Sequence, residues 1–243
     1  PGMLVLVWTS LLMALMRQYA GSAVEKLSPT GMLLGSAILT GIGLFMLSFA
    51  DSFAMVLFAD TIFAVGVCYF WPTMLGVASE RVPKGGELAM ALLGAAGNVA
   101  VGLATIPLMG VIADTYGHEK FELAPTLAVV EQAKAELPNI QSDNKDLLDT
   151  RDKTMVLVNE VLTNKDSLPP KVTANVLRGA ITCAPDSELA KNAKNLLNPA
   201  ELYGGRKSFQ IVSILAVILA VVFGILYASD RAKGGYKIEK IAQ

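Results

Sequence analysis

The sequence has little charge, little cysteine and almost no histidine. Asp, Glu, Lys and Arg make up 17% of its 243 residues. Soluble domains usually carry about 25%. Of the two cysteines, Cys68 lies in an apolar run and Cys183 in a polar segment. That leaves no disulfide framework, and a bridge within the chain is not expected. The single histidine, His118 in "GVIADTYGHEK", cannot form a metal site alone. No catalytic triad, phosphate loop or CxxC motif is present, and the basic residues are too scattered for nucleic acid. These absences argue against an enzyme, a resident cofactor and a nucleic-acid partner. There is no internal repeat.

The chain is rich in apolar residues instead. They make up 53% of it, and the mean hydropathy is +0.50. Four long apolar runs stand out, at 29–50, 53–78, 88–113 and 209–228, the last within a span of 207–229. Only the second holds a charge, Asp60. Each can cross about 30 Å of hydrocarbon, which takes about 20 helical residues. A fifth run, 1–16, is shorter and starts with Pro, and reads as the end of a helix that begins upstream. Only Pro1 and Gly2 precede it, so it lacks the basic region of a signal peptide.

Short links join the runs, apart from a polar stretch of 114–208. Outside that stretch the basic residues are Arg17, Lys26, Arg81, Lys84, Arg231, Lys233, Lys237 and Lys240. Threading the spans back and forth puts all of them on one side, while the link on the other side carries only Asp51. Short cytoplasmic loops collect Lys and Arg, so that side is expected to be cytoplasmic. The expected fold is all-α: a polytopic membrane helix bundle of five spans with a mainly helical extracytoplasmic insert. Spans occupy 1–116, the insert 117–206, the last span 207–229 and a cytoplasmic tail 230–243. The setting is a plasma (inner) membrane, with the insert periplasmic or extracellular.

Within the insert, "LAVVEQAKAEL" (127–137) and "DLLDTRDKTMVLVNEVL" (146–162) have helical spacing, the first stopping before Pro138. "DSELAKNAKNLL" (186–197) predicts a helix capped by Asp186 and ending before Pro199. Their modest amphipathic faces predict a small helical cap packed on the membrane portion.

Asp60 lies seven residues inside Phe53, about 10 Å deep at 1.5 Å per residue. An ionised Asp facing lipid costs at least about 2.5–3.5 kcal/mol. It is therefore expected to face the bundle interior, a vestibule or a partner. There it either takes a substrate hydrogen bond or a proton, or bonds a neighbouring helix. Phe63, Ala64, Val67, Phe70, Trp71 and Met74 share its side at helical spacing. Tyr69 and Trp71 combine a flat apolar face with a donor, which suits a sugar but also suits ordinary packing. Pro72 should kink this helix. The run 88–113 carries a stripe of small residues, Ala91, Ala95, Gly102 and Thr105, with Gly94 and Gly97 flanking it, for close helix packing. On the same stripe Asn98 is either a helix–helix bond or a ligand contact. Gly31 and Gly35 form a G-x-x-x-G for packing.

"RQYAGSAVEKLSP", "FWPTMLGVASERVPKGG" and "PLMGVIADTYG" together resemble the second half of a major facilitator superfamily transporter, closest to sugar–proton symporters of the fucose permease type. The resemblance covers 1–117 and 205–236, and leaves the insert unmatched. It implies that the five spans correspond to helices 8–12 of a twelve-helix transporter, with the third span lining the central cavity. It also implies a gating loop at Gly21, Glu25 and Lys26, although Glu and Lys replace the family's Asp and Arg. The first seven helices of that family have no counterpart here. The chain is thus expected to be a C-terminal fragment, or to pair with a separate chain supplying them.

The expected function is secondary active transport of a small polar solute, with a sugar favoured, by alternating access and with proton coupling an option. Asp60, Tyr69, Trp71 and Asn98 are the expected solute-binding residues. The lipid bilayer, the solute and the missing N-terminal helices are the expected partners. The rival is a non-transporting membrane subunit that anchors the insert as an interaction module.

Overall fold

A computed structural model describes residues 2–18, 27–140, 144–165 and 168–238. Among them every regular element is helical. The α-helices are α1 (Gly2–Arg17), α2 (Pro29–Leu47), α3 (Phe53–Cys68), α4 (Phe70–Arg81), α5 (Gly86–Val99) and α6 (Ile106–His118), followed by α7 (Leu123–Glu136), α8 (Lys145–Thr163), α9 (Pro170–Cys183) and α10 (Glu188–Ala232). Four continuous stretches are long and apolar enough to cross a membrane: Pro29–Leu47, Phe53–Arg81, Pro83–His118 and Glu188–Ala232. The apolar helix α1 is shorter than these.

Local chemistry sets the helix ends. Ser28 and Ser52 accept hydrogen bonds from the Gly31 and Met55 amides, capping α2 and α3. The second stretch breaks at Tyr69, between α3 and α4. Pro72 supplies no N–H for the Cys68 carbonyl, so the ladder is interrupted there. Between α5 and α6 the helix widens into a π turn, Ala100–Thr105, just before Pro107.

The chain divides into two compact units. The first is Pro1–Pro107 with Phe209–Gln243, and the second is Leu108–Ser208. In the first unit, helices meet backbone to backbone. A Cβ on Gly43 would fall 2.6 Å from Phe63 Cα, and one on Gly66 would fall 2.5 Å from the Thr40 amide nitrogen. Only glycine permits that approach between α2 and α3. Gly41 faces the Ala216 methyl and Gly31 the Tyr227 ring, bringing α10 against α2. Phe70 and Phe223 meet edge to face at 5.5 Å. Of the G-x-x-x-G pair, only Gly31 packs on another helix; Gly35 has open space beside it.

The second unit has a core of its own. Val129, Val130, Leu137, Val158, Val161, Val176, Leu177 and Leu189 are buried together. Helix α9, absent from the sequence-level expectation, supplies much of it. Its buried residues Thr173, Val176, Leu177, Ala180 and Cys183 recur at helical spacing. Gly179 lets α9 close on Thr154 of α8. Pro170 at the first position of α9 was the legible start signal.

Two boundaries correct the sequence expectation. Ser187, not Asp186, caps the last helix, its hydroxyl accepting from the Ala190 amide. That helix does not end before Pro199 but runs through it to Ala232. Proline removes one ladder bond, and the turns on both sides keep theirs. The α-helix over 127–137 does stop before Pro138, at Glu136, and a 3₁₀ turn at Leu137–Asn139 follows. Both cysteines are buried and free, one in each unit.

Candidate functional site

Asp60 is 5% exposed and turned toward α1. The Thr9 hydroxyl donates to Asp60 Oδ2 at 2.7 Å. One residue along each helix, Trp8 Nε1 donates to Thr61 Oγ1 at 2.9 Å. Further down, Cys68 Sγ donates to the Met13 carbonyl at 3.5 Å and the Tyr69 hydroxyl to the Met16 carbonyl at 2.8 Å. Polar side chains thus tie α1 to α3 and Tyr69 at four levels. Thr9 and Thr61 also donate to carbonyls of their own helices, at Val5 and Leu57. Of the alternatives open for Asp60, the structure displays a carboxylate bonded to a neighbouring helix.

The expected solute-binding residues have separate partners. Asp60 and Tyr69 are both engaged on α1. Trp71 is 43% exposed, with its ring edge against Gly97. It lines an apolar cavity of about 290 Å³ with Thr40, Val67, Phe70 and Leu219. The buried Thr40 Oγ1 beside that cavity has no hydrogen-bond partner. Asn98 is exposed and donates to the Gly94 carbonyl of its own helix at 3.0 Å. The gating-loop residues Gly21, Glu25 and Lys26 lie outside the described residues.

Residues near Asn98 form a feature that sequence reasoning missed. The π turn Ala100–Thr105 interrupts the stretch Pro83–His118 near its middle. Thr105 Oγ1 reaches back five residues to the Ala100 carbonyl at 3.3 Å. Gly94 and Gly102 have open space where a side chain would sit, and no residue of α5 or the π turn is buried. The legible signal was Pro107 inside an apolar run.

No protein-family model, curated protein or solved structure matches the chain.

The second unit has a cavity of its own, about 220 Å³, lined by Ala113, Phe121, Leu197 and Ala200 with Asp114, Arg178 and Glu201. Arg178 is forked between two carboxylates, Glu201 at 2.8 Å and Asp114 at 3.0 Å. Burial opposes its charge, but the two carboxylates together outweigh that and raise its pKa. Its Nη1 also donates to Asn175 Oδ1 at 3.3 Å, and the two carboxylates tie α9 to α6 and α10. Among the described residues, no group of three His, Cys, Asp or Glu side chains is placed to hold a metal.

A third cluster joins the ends of α4 and α10. Arg81 pairs with Asp230, which also accepts from the Thr30 hydroxyl at 2.9 Å. The Tyr236 hydroxyl donates to Glu80 Oε2 at 2.6 Å, and the Arg81 guanidinium lies over the Tyr236 ring. Burial and the bond to Glu80 push the Tyr236 phenol up to about 12, although Arg81 acts the other way.

Proposed function

We propose that the chain is part of a secondary transporter that moves a small polar solute, a sugar being the favoured class, by alternating access. The observation that carries this is the π turn Ala100–Thr105, at the middle of a long apolar helix and beside the exposed Asn98. Interrupted helices with polar edges at mid-membrane depth are how transporters present backbone and side-chain groups to a solute. The resemblance to the major facilitator superfamily supplies the rest of the proposal. Helix α1 is a fifth span, the basic helix ends are cytoplasmic, and the insert 117–206 is periplasmic or extracellular. Further helices of the same transporter cover the unpacked faces of α5 and α6, and protons drive uptake.

Asp60 then acts by holding α1 on α3, with a proton-carrying role open to test. In membrane vesicles containing the full-length transporter, Asn98→Ala is expected to lower solute uptake while leaving protein abundance unchanged. Asp60→Asn is expected to change the pH dependence of uptake. Normal uptake by Asn98→Ala removes the π-turn face from the solute path. An unaltered pH profile removes Asp60 from coupling.

The independent core of the second unit favours a second reading, a membrane anchor for an interaction module. Deleting residues 121–186, which spares α6 and α10, separates the two. A transporter keeps measurable uptake, whereas an anchor loses its only role.

A further inference from the structure

After α10 the chain turns back on itself. Gly234 and Gly235 both adopt left-handed backbone, with φ of 88° and 103°. The Gly235 amide donates to the Asp230 carbonyl at 2.9 Å, closing the helix end. The turn brings the following residues against the end of α4 and leaves an open concavity of about 310 Å³, lined by Arg81, Asp230, Lys233, Gly235 and Lys237. Three cations thus face one carboxylate. That carboxylate is already occupied by Arg81 and Thr30, and the neighbouring Glu80 is occupied by Tyr236. Lys233 and Lys237 are exposed, and their ammonium groups point to no acid among the described ion pairs. The concavity opens just past the last apolar residues of α10, where a bilayer would give way to headgroups.

We propose that Arg81, Lys233 and Lys237 form a binding site for the phosphate of an anionic phospholipid headgroup. Juxtamembrane basic residues attract acidic lipids, and a planar guanidinium beside two mobile ammonium groups suits phosphate oxygens. Asp230 holds Arg81 in place, and Tyr236 stacks beneath its guanidinium. The proposal rests on the membrane reading of the helices and not on transport, so it stands even if uptake is never observed.

The test is a titration of the detergent-solubilised full-length protein with phosphatidylglycerol, counting bound lipids by native mass spectrometry. Phosphatidylcholine and inorganic phosphate serve as parallel probes. Phosphatidylglycerol is expected to bind more tightly than phosphatidylcholine. Lys233→Gln with Lys237→Gln is expected to weaken phosphatidylglycerol alone by about 25-fold, about fivefold per lysine. Both lysines are exposed and sit beyond the helices, so this variant keeps the fold, which the same spectra check through an unchanged phosphatidylcholine count. Equal phosphatidylglycerol affinity in protein and variant overturns the proposal. Displacement of phosphatidylglycerol by inorganic phosphate at equal concentration overturns the lipid source.

Discussion

Both units bury apolar side chains, Leu33 and Ala37 in one and Val130 and Leu177 in the other, but among the described residues a buried carboxylate, Asp60, is found in the first unit alone. In Leu108–Ser208 the interior is branched aliphatic, with Val130, Val158, Leu177 and Leu189 fully enclosed. In the unit built on Pro1–Pro107 and Phe209–Gln243, the enclosed residues include Thr30, Ser36, Asp60, Thr73 and Ser213, while Leu92, Leu103 and Ile218 stand exposed. Water drives the first arrangement, since removing apolar area from it is favourable. No such force separates apolar side chains from lipid tails. Close backbone contact and hydrogen bonds between helices must hold that bundle instead. The exposed apolar residues and the glycine contacts of the first unit are compatible with a bilayer setting, and the aliphatic core of the second follows the rule for water.

The largest test of this contrast is Leu177→Ala. Its side chain is wholly enclosed in the aliphatic core, so the cost is expected to be about 2–5 kcal/mol. Hydrogen exchange on the intact chain should show that loss across 108–208 with helices α2 and α3 unchanged. Equal deprotection of both units would erase the distinction between them. Next is Gly43→Ala, whose new methyl would press on the Phe63 backbone. Overpacking of that kind costs about 1–3 kcal/mol. Thermal unfolding in lipid bicelles should register it, and an unshifted melting point would mean glycine contact does not hold α2 to α3.

Thr9→Val removes the bond to Asp60, and interhelical hydrogen bonds in bilayers average about 0.6 kcal/mol, with a maximum near 1.7. A double-mutant cycle with Asp60→Asn measures the pair, and zero coupling would remove it from the forces joining α1 to α3. The smallest effect lies in the tail. The fold raises the Tyr236 phenol from the usual value of about 10 to about 12. Because the neutral form is the one favoured, the contribution is complete below about pH 10 and fades as pH rises through about 12. Phenolate absorbance, taken as the difference from Tyr236→Phe, should show a late-titrating tyrosine, and Glu80→Gln should bring it earlier. A phenol at its ordinary value in the parent chain would detach the tail from α4.

Much of the helical layout was legible from residue order. Apolar runs long enough for a bilayer stood out, because hydropathy is a sum over neighbours along the chain. The break near Pro72 was legible too, since proline acts on its own helix. Pro199 shows the limit of that reasoning. It looked like a stop, but α10 runs through it, packed closely against α6 at Gly117 and Gly204. The expected solute site was less legible. Asp60, Tyr69, Trp71 and Asn98 lie along two apolar runs, and spacing alone could not tell which neighbours each would meet.

Residue order by itself determined the long apolar helices and most of the helices in 114–208, since composition and period are local properties, but not α9, the π turn or the run of α10 through Pro199. Tertiary structure decided the pairings. It set Thr9 on Asp60, 51 residues away, Arg81 on Asp230, 149 residues away, and Gly43 on Phe63. The physical reason is that a hydrogen bond or a backbone contact depends on where two helices cross, and no window along one helix contains that crossing.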